Sequence, residues 1–564
     1  MPLYWLNAAF PQMEHNEAGL QMDSLIKRIE RSFCDGWDMP AFTDYGTDLT
    51  YTYGDVATSV AYLHMLFSEL GIVPGDKIAI CAKNSSNWAV ATLAVITYRA
   101  VLVPLLTDYT DEQLVMLCEH CDAKFVIGGE RIRNLWPDGN CPMHLLDISN
   151  LTPSMTKDDG TEISLTERFA ELYPKGFCKE NVRYQAENPE DMMVLSYTSG
   201  SSGNPKGVML PYRSMLSNND YANSELRVKP GENLLFLLPM AHMFGFTFDF
   251  MHAVTARAHS FILTKLPAPS VLMEALKDVK PVLLLSVPLI MEKIVNGKIR
   301  PVVTKKRMRF LLKIPVLRRA ILDAIRRQML QAFGGDVRMV VLGGAGLNGE
   351  VERILRMVRF PYTVGFGMTE CGPIISYADN KAIRFGSCGI AALHMEVKVL
   401  SSNPQRIPGE IVTRGMNLML GYYKNRSATD EVIDQDGWLH TGDLGTIDND
   451  GFLYIRGRKK NMILSSDGQN IYPEDIESQV LASTVFDECI VVQRDGKLVA
   501  MVYATDAALK AAGLKRAELP DKLGSYLKET NRHLPKYGRL ATLELREEEF
   551  KKTPKKNIRR YLYK

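Results

Sequence analysis

Short apolar runs rich in β-forming residues, separated by longer amphipathic stretches, recur along most of this chain, and no other feature restricts its fold as strongly. Residues 77–81 (Lys-Ile-Ala-Ile-Cys), 194–197 (Val-Leu-Ser-Tyr), 234–238 (Leu-Leu-Phe-Leu-Leu) and 337–342 (Val-Arg-Met-Val-Val-Leu) read as strands. Helices fill the intervals, so the repeating unit is βα and the fold class is α/β, not a sandwich or a bundle. In such folds the sites lie in loops at the carboxyl ends of the strands. A length of 564 residues exceeds one ordinary domain, and an apolar fraction of 46% is enough to build large cores.

Near Gly437 the texture changes to short strands separated by Asp-Gly turns, at 436–437, 450–451 and 495–496. The polar run Gly457-Arg458-Lys459-Lys460-Asn461 lies between two apolar strands and is followed by about a hundred residues with their own strand and helix signals. These signals predict a large N-terminal domain of layered α/β subdomains over 1–459 and a small α+β C-terminal domain over 460–564, with the hinge at Lys460.

Other function classes fall away on composition and pattern. A net charge of +2 gives no global attraction to nucleic acid. Met1-Pro2-Leu3-Tyr4-Trp5 shows no positive region followed by an apolar run, so no secretory signal is expected and the location read from the sequence is cytoplasmic. The most apolar stretch, 88–106, is interrupted by Arg99 and Pro104 and reads as a buried helix running into a strand, not a membrane span. Cys118 and Cys121 have metal-like spacing but no second close pair, so they read as buried thiols on a helix.

The segment Tyr197-Thr198-Ser199-Gly200-Ser201-Ser202-Gly203-Asn204-Pro205-Lys206-Gly207 follows a strand. Its glycines permit close backbone approach, its hydroxyls donate to phosphate oxygens, and Lys206 supplies a cation, which together describe a phosphate cradle. A P-loop is excluded, because Lys206 follows Pro205 and precedes Gly207, and Val208-Met-Leu continues as a strand. The segment resembles the signature of the acyl-adenylate-forming superfamily, which includes acyl-CoA synthetases, luciferases and the adenylation domains of peptide synthetases. Four further motifs follow in that superfamily's order: 365–370 (Gly-Phe-Gly-Met-Thr-Glu), 409–415 (Gly-Glu-Ile-Val-Thr-Arg-Gly), 437–443 (Gly-Trp-Leu-His-Thr-Gly-Asp), and Gly457-Arg458 through 468–477. Long-chain fatty-acid-CoA ligases are the members this chain is most similar to.

The resemblance implies roles for individual residues. Thr198, Ser199, Gly200, Ser201, Ser202, Gly203 and Lys206 would hold the β- and γ-phosphates of ATP. Glu370 would bind Mg²⁺, with Thr369 beside the α-phosphate. Phe366, followed by Gly367, would stack on adenine; Asp443 would accept the ribose hydroxyls, and Arg458 would reinforce that contact. Gly344 and Ala345 fall in the loop between nucleotide and acid, and His242 matches a position lining the acyl path, where a satisfied core histidine is the rival reading. The small C-terminal domain is implied to be mobile about Lys460. A catalytic lysine is also implied near the C-terminus, but 552–560 reads Lys-Thr-Pro-Lys-Lys-Asn-Ile-Arg-Arg, and a gapless match puts Asn557 at that position. Lys556 is expected to substitute.

These expectations converge on activation of a carboxylic acid, a medium- to long-chain fatty acid, as acyl-AMP and its transfer to coenzyme A, with ATP, Mg²⁺ and coenzyme A required. No downstream segment resembles a carrier domain, which favours a free thiol acceptor. Loading of a separate acyl carrier protein, and a non-catalytic acyl-adenylate sensor suggested by Asn557, are the alternatives. Over 298–327 basic residues interleave with apolar ones, which fits either peripheral contact with an anionic membrane or a solvated helix face.

Overall fold

The computed structural model describes residues 24–136, 141–151, 155–156, 162–198, 205–264, 269–303, 305–464, 470–483, 485–553 and 558–563. Two seven-stranded sheets form the large part. One runs Tyr362–Val364, Met339–Leu342, Leu283–Ser286, Asn233–Phe236, His259–Ile262, Pro40–Asp44, Thr50–Thr52, parallel throughout except for its last pair. The other runs Gly421–Tyr422, Lys206–Pro211, Met192–Thr198, Val101–Pro104, Lys77–Cys81, Ala123–Gly128, His144–Asp147, with antiparallel pairing confined to its first three strands.

Side-chain alternation along these strands builds the layers. Leu234, Phe236, Leu283 and Leu285 point from the first sheet into the same core as Ile78, Ile80 and Leu102 from the second. Their neighbours Leu235 and Leu284 face an outer core on one side, and Ala79, Cys81 and Val103 face another on the opposite side. Helices Leu25–Asp35, Tyr53–Glu69, Ser86–Thr97 and Tyr212–Leu226 contribute to the shared central core. Ser86–Thr97 is started by Ser85, whose hydroxyl accepts from the Trp88 amide at 3.1 Å, and its apolar residues all lie inside. It leads to strand Val101–Pro104, as 88–106 predicts; among the described residues no helix is long and apolar enough to cross a membrane.

One expectation needs adjustment. The run 234–238 is a strand only over Asn233–Phe236, because Pro239 has no amide for the ladder and the Leu238 carbonyl is taken by the Asn84 side chain at 2.8 Å. The texture change near 437 falls ahead of the hinge expected at Lys460. The turns at 436–437 and 450–451 serve the four-stranded antiparallel sheet Met395–Leu400, Gly409–Gly415, Leu439–Ile447, Leu453–Arg458, which completes the large part. A separate apolar core begins only at about Ile471. It packs helices Pro473–Leu481 and Leu519–His533 on the sheet Glu488–Arg494, Lys497–Tyr503, Leu540–Leu545, whose hairpin turns at Asp495-Gly496 with φ values of 50° and 73°. Two bonds tie this small part to the large one: the Arg300 guanidinium donates to the Ala482 carbonyl at 2.9 Å, and Asn348 Nδ2 donates to the Ser478 carbonyl at 3.2 Å. Cys118 lies on helix Asp111–His120 and Cys121 caps it; both are buried free thiols, and burial pushes that of Cys121 up to about 12.

Candidate active site

A cavity of about 770 Å³ lies where the second sheet, the four-stranded sheet and the segment at Lys460 meet. Lys206 enters it from a strand end, paired across the ladder with Thr198, whose hydroxyl donates to the Lys206 carbonyl at 3.4 Å. The Lys206 ammonium lies 4.8 Å from the centroid of the Tyr422 ring, and the Tyr422 hydroxyl donates to Glu370 Oε1 at 2.8 Å. One tyrosine therefore spaces a cation from a carboxylate. Burial, with Glu370 adding to it, raises the Tyr422 hydroxyl above its ordinary value, which keeps it a donor.

Glu370 is 8% exposed, on the short turn Thr369–Cys371, and the turn is fastened from behind by a buried polar helix face. Asn218, on helix Tyr212–Leu226, donates to the Cys371 carbonyl at 3.1 Å and accepts from the Ile374 amide at 3.1 Å. Thr247 donates to the Gly372 carbonyl at 2.9 Å, and the Met419 amide donates to the Glu370 carbonyl at 2.8 Å. Two glycines of this wall are crowded, Gly367 most of all. A Cβ on Gly367 would run into the Pro373 carbonyl, and one on Gly343 would stand 3.0 Å from the Phe244 ring.

At the other end of the wall Asp443 is buried with its amide on the Thr441 hydroxyl at 3.1 Å, and its carboxylate receives Arg458 Nε at 2.7 Å. Burial pushes the Asp443 carboxyl up to about 6, with Arg458 opposing and Glu474 and Glu370 assisting. Glu410 accepts from Lys459 at 2.8 Å and from His440 Nδ1 at 3.2 Å. Burial pushes the Glu410 carboxyl up, but those two donors outweigh it and hold it below its ordinary value.

The cavity is also walled by Phe244, Phe248, Leu285 and Val341, and Tyr221, Glu225 and Tyr377 line it too. His242 borders it as well; its Nδ1 accepts from the Phe244 amide at 3.3 Å, so the neutral ring carries its proton on Nε2.

Of the residues singled out in the sequence, Thr198, Lys206, His242, Gly344, Phe366, Gly367, Thr369, Glu370, Arg458 and Lys460 border this one cavity. Asp443 stands directly behind Arg458. Ala345 does not join them: Gly344, at a φ of 84°, turns the chain, and Ala345 is exposed outside the wall. Ser199, Gly200, Ser201, Ser202 and Gly203, together with Lys556 and Asn557, lie outside the described residues. Tyr422, Glu410 and Asn218 were missed. Their partners are remote in sequence, and only the antiparallel pairing of Gly421–Tyr422 with Lys206–Pro211 brings Tyr422 in.

The family description "AMP-binding enzyme" matches residues 32–423, and "AMP-binding enzyme C-terminal domain" matches 460–563. The chain is 28% identical over 474 residues to 4-coumarate–CoA ligase 4 of Arabidopsis thaliana, covering 80% of this chain and 75% of that one. It is 26% identical over 507 residues to a long-chain-fatty-acid–CoA ligase of Escherichia coli O157:H7, covering 85% of each. The solved structure of O-succinylbenzoate coenzyme A synthetase (MenE) from Bacillus subtilis with AMP superposes with a TM-score of 0.72 at 20% identity, over 95% of this chain and 98% of that one. The anthranilate CoA ligase AuaEII with anthranoyl-AMP gives 0.74 at 18% identity, over 96% of each. At such identities the likeness is one of fold.

Proposed function

The chain belongs to the AMP-binding enzyme family, and from that premise we propose that it activates a carboxylic acid with MgATP as acyl-AMP and passes the acyl group to coenzyme A, releasing AMP and pyrophosphate. The observation that carries this reading is the set of groups gathered around one cavity: apolar walls at Phe244, Phe248, Leu285 and Val341, the linked Lys206, Tyr422 and Glu370, and Arg458 paired with Asp443. An acid in the pocket would present its carboxylate to the α-phosphorus of a nucleotide whose ribose lies at Asp443.

In this reading Lys206 neutralises the β- and γ-phosphates and Thr198 donates to them, with Ser199 through Gly203 completing the cradle. Phe366 offers its ring to adenine, Gly344 and Gly367 let the nucleotide approach the backbone, and Asp443 accepts the ribose hydroxyls while Arg458 holds it ionised. Glu370 is a hard oxygen donor of the kind Mg²⁺ takes and would hold the ion, with Thr369 beside the α-phosphate. Magnesium supplies charge neutralisation when bound; the chain's own residues orient the phosphates. The part from Lys460 onward turns about that residue between the two half-reactions, and Lys556 supplies the last cation for adenylation.

The acid we assign is a medium- to long-chain fatty acid, supported by the Phe244, Phe248, Leu285 and Val341 walls and by the fatty-acid relative. A hydroxylated aromatic acid is the second reading, favoured by Tyr221, Tyr377 and Glu225 in the same pocket and by the coumarate relative. The deciding experiment follows AMP and pyrophosphate release over a panel of fatty, aromatic and short acids, with and without coenzyme A. Coenzyme A-dependent thioester on a fatty acid supports the assignment. Turnover only on aromatic acids selects the second reading, adenylate that reaches only a carrier protein selects a carrier-loading ligase, and no AMP from any acid identifies a sensor.

A further inference from the structure

The segment after the π-turn Val295–Ile299 forms three helices, Arg300–Val303, Lys306–Leu311 and Pro315–Ala332. Residues 298–327 contain eleven basic side chains and one acid, Asp323, in a chain whose net charge is only +2, so positive charge is concentrated here. The residues 313–320 are all exposed, and they carry apolar side chains outward among the cations: Val316 is 80% exposed, and Ile314 and Leu317 stand beside it. Phe310, on the preceding helix, is 67% exposed. Folding would ordinarily cover side chains of this kind.

Next to them lies a groove of about 620 Å³ bordered by Lys313, Arg318, Arg319, Arg356 and Arg359, with Asp323 the single carboxylate. Exposed apolar side chains interleaved along the chain with cations match the boundary between acyl chains and anionic headgroups, where apolar groups enter the hydrocarbon edge and Lys or Arg meet phosphate. A second copy of the chain would set this cationic face against itself across a two-fold axis. Nucleic acid would meet the cations but leave Phe310 and Val316 in water.

We propose that this exposed segment, with the apolar side chains of Phe310, Ile314 and Val316 and the cations Lys313, Arg318 and Arg319, docks the protein on an anionic lipid bilayer. This surface is separate from the cavity and needs no acid substrate, so its test is independent of the assigned reaction. The full chain is sedimented with vesicles of phosphatidylcholine, alone or mixed with phosphatidylglycerol, at low and high salt. Binding is expected to the mixed vesicles only and to fall with salt. The pairs Arg318→Glu with Arg319→Glu, and Phe310→Ser with Val316→Ser, are each expected to weaken it about tenfold or more, while pyrophosphate release with a soluble acid is unchanged. Unaltered binding in both variants, or no binding by the parent chain, overturns the proposal. So does a parent chain that self-associates in analytical ultracentrifugation and becomes monomeric in the serine variant, or one that binds duplex DNA in preference to the vesicles.

Discussion

Arg458, itself exposed, pairs with the buried Asp443, yet Asp443 remains costly to bury, and the two facts predict a separation of stability from function. Its folded carboxyl titrates at about 6 against an ordinary 3.8, so the fold favours the protonated form. The stabilisation this gives is full below the ordinary value and is lost as pH rises through about 6, a swing of about 3 kcal/mol. Asp443→Asn is therefore expected to melt higher than the parent at pH 7.5, with the gap closing on acidification, while its ATP affinity drops; thermal denaturation across pH and nucleotide titration read the two effects. At Tyr422 the ring and the hydroxyl do different jobs. Tyr422→Phe keeps the ring under Lys206 but removes the donor to Glu370, a charge-assisted bond worth about 1.5–3 kcal/mol, so pyrophosphate exchange should slow about ten- to a hundredfold. Lys556→Ala should lower exchange by about two to three powers of ten, and unchanged exchange would transfer the cation's role elsewhere. Lys206, Glu370 and Asp443 were legible because each sits in a short contiguous motif. Tyr422 was not, because its meaning arises from a bond to a residue 52 positions away.

Helix Tyr212–Leu226 carries polar residues that the fold turns inward. Ser214, Ser217, Asn218 and Asn219 would mark an outward face in a periodicity reading, yet all four are buried. Two of them hold main-chain groups of other segments: Ser214 donates to the Asn417 carbonyl at 2.6 Å, and Asn218 grips both sides of the turn after Glu370, while Asn219 donates to the Thr255 hydroxyl at 2.8 Å. Asn218→Ala leaves two buried backbone groups without partners, an expected loss of about 2–5 kcal/mol in chemical denaturation, accompanied by slower adenylation because Glu370 loses its support. The strands were more legible. Lys77–Cys81 and the antiparallel run Lys206–Pro211 follow directly from β-branched, bounded sequence, and Asp495-Gly496 makes the hairpin its composition announces. The Asp-Gly turns at 436 and 450 report local backbone geometry and carry no information on which core the flanking strands enter.

Across the whole molecule the cores are distinct, and the small part has one of its own. Calorimetry is expected to resolve two transitions, with MgATP at a hundred times its dissociation constant stabilising the larger unit by about 2.7 kcal/mol; a single transition would show that the parts unfold as one. The two bonds that join them run in one direction. Arg300 and Asn348 give the donors, and the acceptors are the main-chain carbonyls of Ser478 and Ala482 at the end of helix Pro473–Leu481, the negative pole of that helix. Main-chain acceptors persist through substitution. Sequence drift at Ser478 or Ala482 thus leaves these two acceptors in place, whereas a replacement at Arg300 or Asn348 removes a donor, so selection on these two bonds should be recorded on the larger side.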